Sequence, residues 1–231
     1  MTTRHRVVLL GLLARLVSLP VHSGSAQEAG VQAPELRAQD WLNTTEPPDQ
    51  LRLSRLTGHV IVLVFFMAHD PMSTVALEHA RQLWEVYRHR KLRVFGVHSP
   101  PDGWKPRTPP RPAQGLDTMG DDDPGESGRR VDREVRNEHR RRLRAVESFI
   151  SELRLPVPVL VDHDRALWDR FRNLAYPTFQ VIDHHGLLRA TYTGTRAYSQ
   201  LSRQVDGLLQ ELAQAQDDQA QKAAAGPPVR P

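Results

Sequence analysis

Residues 60–67, Val-Ile-Val-Leu-Val-Phe-Phe-Met, form an unbroken run of β-branched, aliphatic and aromatic side chains between Gly58 and Pro71. A run of this length without alternation reads as a strand buried on both faces, the pattern of an interior strand. Directly after it, Asp70 is a preferred helix N-cap and Pro71 a preferred first helical residue. Ala76, Ala80, Leu83 and Tyr87 then recur on one face, which predicts a helix over 71–89. Residues 92–97 make a second apolar run that ends at His98. Strand, helix and strand in this order imply parallel neighbours joined by a right-handed crossover.

The other segments extend this unit. Trp41-Leu42-Asn43, with Leu51, Leu53 and Leu56, predicts a small N-terminal strand or hairpin. Residues 100–128 hold seven prolines, five glycines and the triplet Asp121-Asp122-Asp123, which predicts a flexible insertion. A charged helix is expected over 131–154, with Leu143, Val146, Ile150 and Leu153 as its core-facing stripe. Residues 157–161 read as a short strand and 164–172 as a short helix. Two further runs, 178–182 and 187–192, flank Asp183-His184-His185-Gly186 and predict a β-hairpin. A last helix is expected over 198–213. These elements make one three-layer α/β domain over 35–213, with a central mixed sheet flanked by helices. A polar linker (27–34) precedes it, and a Gln/Ala-rich tail (214–231) is expected to be disordered.

The ends also carry information. Arg4 and Arg6 precede an apolar run over 7–14, and Gly24-Ser25-Ala26 supplies small residues for cleavage, so 1–26 reads as a signal peptide. That run falls well short of the roughly 20 apolar residues that span a bilayer, so a periplasmic or secreted location is expected. The net charge of +4 owes three arginines to this segment, which has no acid; without it 28 basic residues face 27 acidic ones. A near-neutral chain has no general electrostatic drive towards nucleic acid, and none is expected as a partner.

Chemistry is bounded by a second feature: the 231 residues include no cysteine. Thiol–disulfide exchange requires a thiolate that attacks sulfur, and neither a carboxylate nor a hydroxyl replaces it. No Gly-rich phosphate loop, Gly-x-Ser-x-Gly elbow or zinc-type cysteine set is present, so no catalytic residue is assigned and no cofactor is expected.

Several short pieces occur in a telling order. They are Ala33-Pro34 with Trp41 and Asn43, then Leu56-Thr57-Gly58-His59-Val60-Ile61-Val62-Leu63, then Val94-Phe95-Gly96-Val97-His98-Ser99. Leu160-Val161-Asp162 with Leu167-Trp168 follows, and then Tyr176-Pro177-Thr178 with Ile182-Asp183 and Gly186. Together they resemble the thioredoxin-like redoxins of the bacterial periplasm, the TlpA-type thiol:disulfide oxidoreductases. The resemblance implies a thioredoxin-like fold from about Ala33 to Leu209. It places Asp70 and Ser73 where that family carries its Cys-x-x-Cys pair, so this chain looks like a cysteine-less divergent member, a pseudoenzyme. Tyr176-Pro177-Thr178 matches the family's cis-proline loop, whose backbone pairs with an extended segment of a client. The function this implies is an exported, redox-inactive binding or scaffolding module. His69, Asp70, Tyr176, Pro177 and Thr178 would form its peptide cleft, and a protein or peptide of the cell envelope would be its partner.

A second reading comes from a different class. His69, Asp70 and His98 fall at the carboxyl ends of adjacent parallel strands, where α/β sheets commonly bind ligands, and could support a metal-assisted, non-thiol enzyme. Against it, Asp70 and Ser73 are fully explained as a capped helix start. Asp162-His163-Asp164 reads as helix caps and Asp183-His184-His185 as a hairpin turn. The eight arginines between Arg129 and Arg144, with acids interspersed, read as a solvated helix face.

Overall fold

The computed structural model describes residues 30–37, 40–101 and 124–224. Its centre is β3 (Val60–Phe66), every residue of which is buried. Two flanking strands explain why: β4 (Leu92–His98) pairs with it in parallel and β6 (Thr178–Ile182) antiparallel. The full sheet has seven strands in the order β1-β7-β6-β3-β4-β5-β2. Its remaining members are β1 (Val31–Gln32), β2 (Asp40–Leu42), β5 (Val159–Val161) and β7 (Leu187–Thr193).

Alternation along β3 divides the core in two. Val60, Val62, Val64 and Phe66 face a layer of three helices: α1 (Pro71–Tyr87), α2 (Pro124–Glu152) and α4 (Tyr198–Ala224). Ile61, Leu63 and Phe65 face Leu51, Leu53, Leu56 and the short α3 (Ala166–Arg170) with Trp168 and Phe171. This is a three-layer α/β domain with a mixed sheet. Among the described residues no helix is long and apolar enough to cross a membrane.

Of the strand or hairpin expected at the N-terminus the strand is present, and three other expectations are corrected. Trp41 pairs with Leu160, in antiparallel β2–β5 register, and 3-10 turns occupy Pro48–Leu51 and Leu53–Arg55. The linker at 27–34 contains β1, because Val31 and Gln32 complete the sheet against Leu188 and Leu187. Helix α2 begins at Pro124 rather than near Val131, so 124–128 belong to it; proline is well suited to a first helical turn. The tail is helical to Ala224. Beyond Leu212 its side chains are almost all exposed, so α4 continues on the helix propensity of Ala, Gln and Lys instead of on packing. The expected signal peptide, residues 102–123 of the expected insertion and the chain after Ala224 lie outside the described residues.

The strand expected over 157–161 starts at Val159. Pro158 cannot donate to the ladder, and the Asn43 side-chain amide instead donates to the carbonyls of Leu155 and Val157.

Candidate functional site

The β3–β6 ladder ends at Phe65 opposite Thr178. The chain leaving β3 towards Asp70 and the chain entering β6 through Tyr176 and Pro177 therefore depart from the same edge of the sheet. This places the helix start and the proline loop at one end of the domain.

The helix start is built as a closed polar unit. Asp70 Oδ2 accepts the Ser73 backbone N–H at 2.6 Å, and the Asp70 carbonyl accepts Thr74 N–H at 3.0 Å. Ser73 is fully buried, and its hydroxyl oxygen accepts the Met67 N–H at 3.1 Å. His69 turns the chain in the left-handed region, at φ 63°, and its ring is exposed against the edge of Phe149. Met72 and Val75, on the outer side of the first turn, are 48% and 43% exposed. The arrangement caps a helix and holds no thiol.

Across from it, the Tyr176–Pro177 peptide bond is cis. Pro177 and Thr178 are buried and Tyr176 is half-buried. The Thr178 hydroxyl donates to the Ala175 carbonyl at 2.7 Å, and the Gly194 N–H donates to the Pro177 carbonyl at 2.8 Å. Tyr176 packs against Trp168 with ring centroids 4.0 Å apart and the ring planes tilted by 35°, and its hydroxyl donates to the carbonyls of Pro100 (2.7 Å) and Ser99 (3.1 Å). Leu174, just before the loop, is 92% exposed.

A buried polar group, one of the helix caps expected from the sequence, supports this loop from behind. Asp162, 4% exposed, accepts Ser99 Oγ–H at 2.8 Å and the N–H groups of Leu167 and Trp168 at 3.1 and 3.0 Å. Burial pushes its carboxyl above the usual aspartate range, and these three donors pull the other way. Arg165 reaches from the next turn to the Pro100 carbonyl at 2.8 Å and lies over the Trp168 ring. Gln180 does the same job on the other side. Its amide donates to Asn173 Oδ1 (2.8 Å) and accepts from Thr191 Oγ (2.6 Å), so β6 is tied to the segment that leads into the proline loop.

The set His69, Asp70 and His98 does not converge as a metal site. Asp70 is committed to Ser73, and His69 lies on the exposed side of the turn. The His98 ring packs edge-on against Phe66, and its buried Nδ1 has no hydrogen-bond partner. Burial, reinforced by the charges of His163 and His69, lowers its pKa to about 4. Histidines come together elsewhere: Asp40 Oδ2 lies 2.8 Å from His163 Nε2 and 2.9 Å from His139 Nε2. Two of the expected structural roles have definite partners. Asp162 and Asp164 accept backbone N–H groups at the start of α3, and Asp183 Oδ1 accepts the N–H groups of His185 and Leu187 in the hairpin turn.

The backbone arrangement is that of the thioredoxin-like proteins. A thioredoxin-like superfamily protein of known structure superimposes with a TM-score of 0.55 at 22% identity, covering 77% of this chain and 96% of the other. A thioredoxin-like protein solved in its oxidized form gives 0.51 at 23% identity, over 79% and 97% of the two chains. A thiol-disulfide isomerase from Corynebacterium glutamicum gives 0.52 at 20% identity, over 77% and 96%. At these identities the likeness establishes the fold alone. No family model and no curated protein sequence matches the chain.

Proposed function

We propose that this chain is an exported, redox-inactive binding module that uses the thioredoxin-like frame to hold an extended segment of another protein beside its proline loop. The observation that carries this reading is the pairing of Asp70 with Ser73. A capping carboxylate and a buried hydroxyl stand at the helix start of a fold whose solved relatives include a thiol-disulfide isomerase. Exposed apolar side chains remain around that end of the domain, Met72 and Val75 on the helix and Leu174 before the loop. Backbone pairing with an extended peptide needs no reactive side chain, so loss of the thiols removes turnover and leaves recognition intact.

The test is site-specific photocrosslinking in extract of the cell envelope. A photoreactive residue replaces Met72 in one variant and Val86, 65% exposed near the far end of α1, in another. Crosslinked protein adducts concentrated at position 72, and reduced by Pro177→Ala, are the expected result. Equal labelling at the two positions overturns the reading.

A further inference from the structure

We propose that Asp40, His139 and His163 form a binding site for a divalent cation of the zinc class. The three residues come from parts of the chain that only the fold unites. Asp40 opens β2, and the register places it opposite Val161 of β5, so His163 follows two residues later on the same side of the sheet edge. His139 lies on α2 at helical spacing from Val146 and Ile150, the residues that anchor that helix to the core. The buried stripe of α2 therefore continues towards its N-terminus as a histidine, and that histidine comes down over the β2–β5 edge.

The donor atoms already converge. Both Nε2 atoms point at the same carboxylate oxygen, at 2.8 and 2.9 Å, and the two rings lie 4.2 Å apart and tilted by 34°. One ligand atom from each residue falls within 4.8 Å of the others, and this is the only such set of three among the described residues. With metal–ligand bonds of about 2.0–2.1 Å, neighbouring donors stand about 2.9 Å apart at an octahedral corner and about 3.3 Å apart in a tetrahedron. Small outward movements of the side chains thus suffice to admit an ion. Two imidazoles and one carboxylate are a borderline-soft donor set that suits zinc and its neighbours in the first transition series.

Ligation through Nε2 leaves each ring proton on Nδ1. The buried Nδ1 atoms without a partner belong to His59, His79, His98 and His184, so neither ligand ring would carry a stranded proton. The site is half-buried, with His139 37% and His163 17% exposed, which leaves room for water to complete the coordination. Arg142 is the nearby cation; it is paired with Glu138 on the same helix. A bound ion would clamp the middle of α2, and with it the arginine-rich segment, onto the sheet edge.

The test uses the full chain purified without a histidine tag and stripped with chelator. Zn2+ is titrated against a competing indicator, and Co2+ absorption reports on the ligand field. The expected result is one saturable equivalent, weakened at least about tenfold by His139→Ala, by His163→Ala and by Asp40→Asn. The last substitution keeps the shape of the side chain, and circular dichroism checks each fold. Bound Zn2+ should also raise the melting temperature of the wild type by linkage. The double substitution His184→Ala and His185→Ala should leave the binding unchanged. Absence of saturable uptake, or uptake that survives the loss of His139 and His163, overturns the assignment.

Discussion

Asp70 Oδ2 accepts the backbone N–H of Ser73 at 2.6 Å, while the Ser73 hydroxyl accepts the N–H of Met67 at 3.1 Å. Each side chain satisfies the other's neighbourhood, so the helix start is self-contained. Asp70→Ala should lower the unfolding free energy by about 1 kcal/mol, the ordinary worth of an N-cap, and Asp70→Asn by less. Ser73→Ala leaves the Met67 N–H without its partner and should cost about 1–2 kcal/mol. Urea denaturation with a common m-value checks all three.

Gln180 is fully buried, yet it bonds Asn173, Thr191 and the Phe171 carbonyl. Gln180→Leu keeps the volume and takes the Gln180 donor away from the buried Asn173 Oδ1 and the Phe171 carbonyl. A loss of about 2 kcal/mol is expected, with faster amide exchange along Phe171–Asn173. Stability equal to wild type would mean that this network does not hold the proline loop.

His98 gives a pH dependence whose sign is fixed by its burial. Folded, it stays neutral down to about pH 4; in the unfolded chain it protonates near pH 6.5. The unfolded state therefore binds the extra proton between those values, and the contribution of the neutral ring to stability is complete above about pH 6.5 and lost as the pH falls towards 4. His98→Phe removes this titration. The stability of the wild type relative to the variant should fall as the pH drops across that window, with both measured in chelator. A constant difference contradicts the burial argument.

Much of the frame is legible in the residues because local and global signals agree. Val60–Phe66 is apolar throughout and becomes the central strand, and Asp70-Pro71 both signals and makes the start of α1. The hairpin at Asp183–Gly186 is equally local. What the sequence conceals depends on long separations. Trp41 pairs with Leu160, so the sequence shows a strand here but not the partner that makes it the edge of the sheet. His163 finds Asp40 123 residues away, and no spacing rule reveals such a pair. Tyr176 anchors to Ser99 and Pro100 through its hydroxyl, a contact that depends on both loops leaving one sheet edge. The extension of α4 beyond residue 213 is hidden for the opposite reason: its polar composition resembles that of a disordered tail, and helix propensity alone sustains the backbone.

Tyr176→Phe separates the two ways that residue is held. The ring contact with Trp168 survives and the bonds to Ser99 and Pro100 do not. A cost of about 1 kcal/mol is expected, together with weaker photocrosslinking at position 72 if the loop is part of the binding surface. Unchanged crosslinking would place recognition away from the loop.

The most direct measurement places sulfur at the helix start. Wild-type protein and the double variant Asp70→Cys/Ser73→Cys are compared in dithiothreitol-driven reduction of insulin. No turnover by the wild type, and clear catalysis by the double variant, is the result the proposed reading predicts. Turnover by the wild type, or a correctly folded double variant that stays inert, would contradict it.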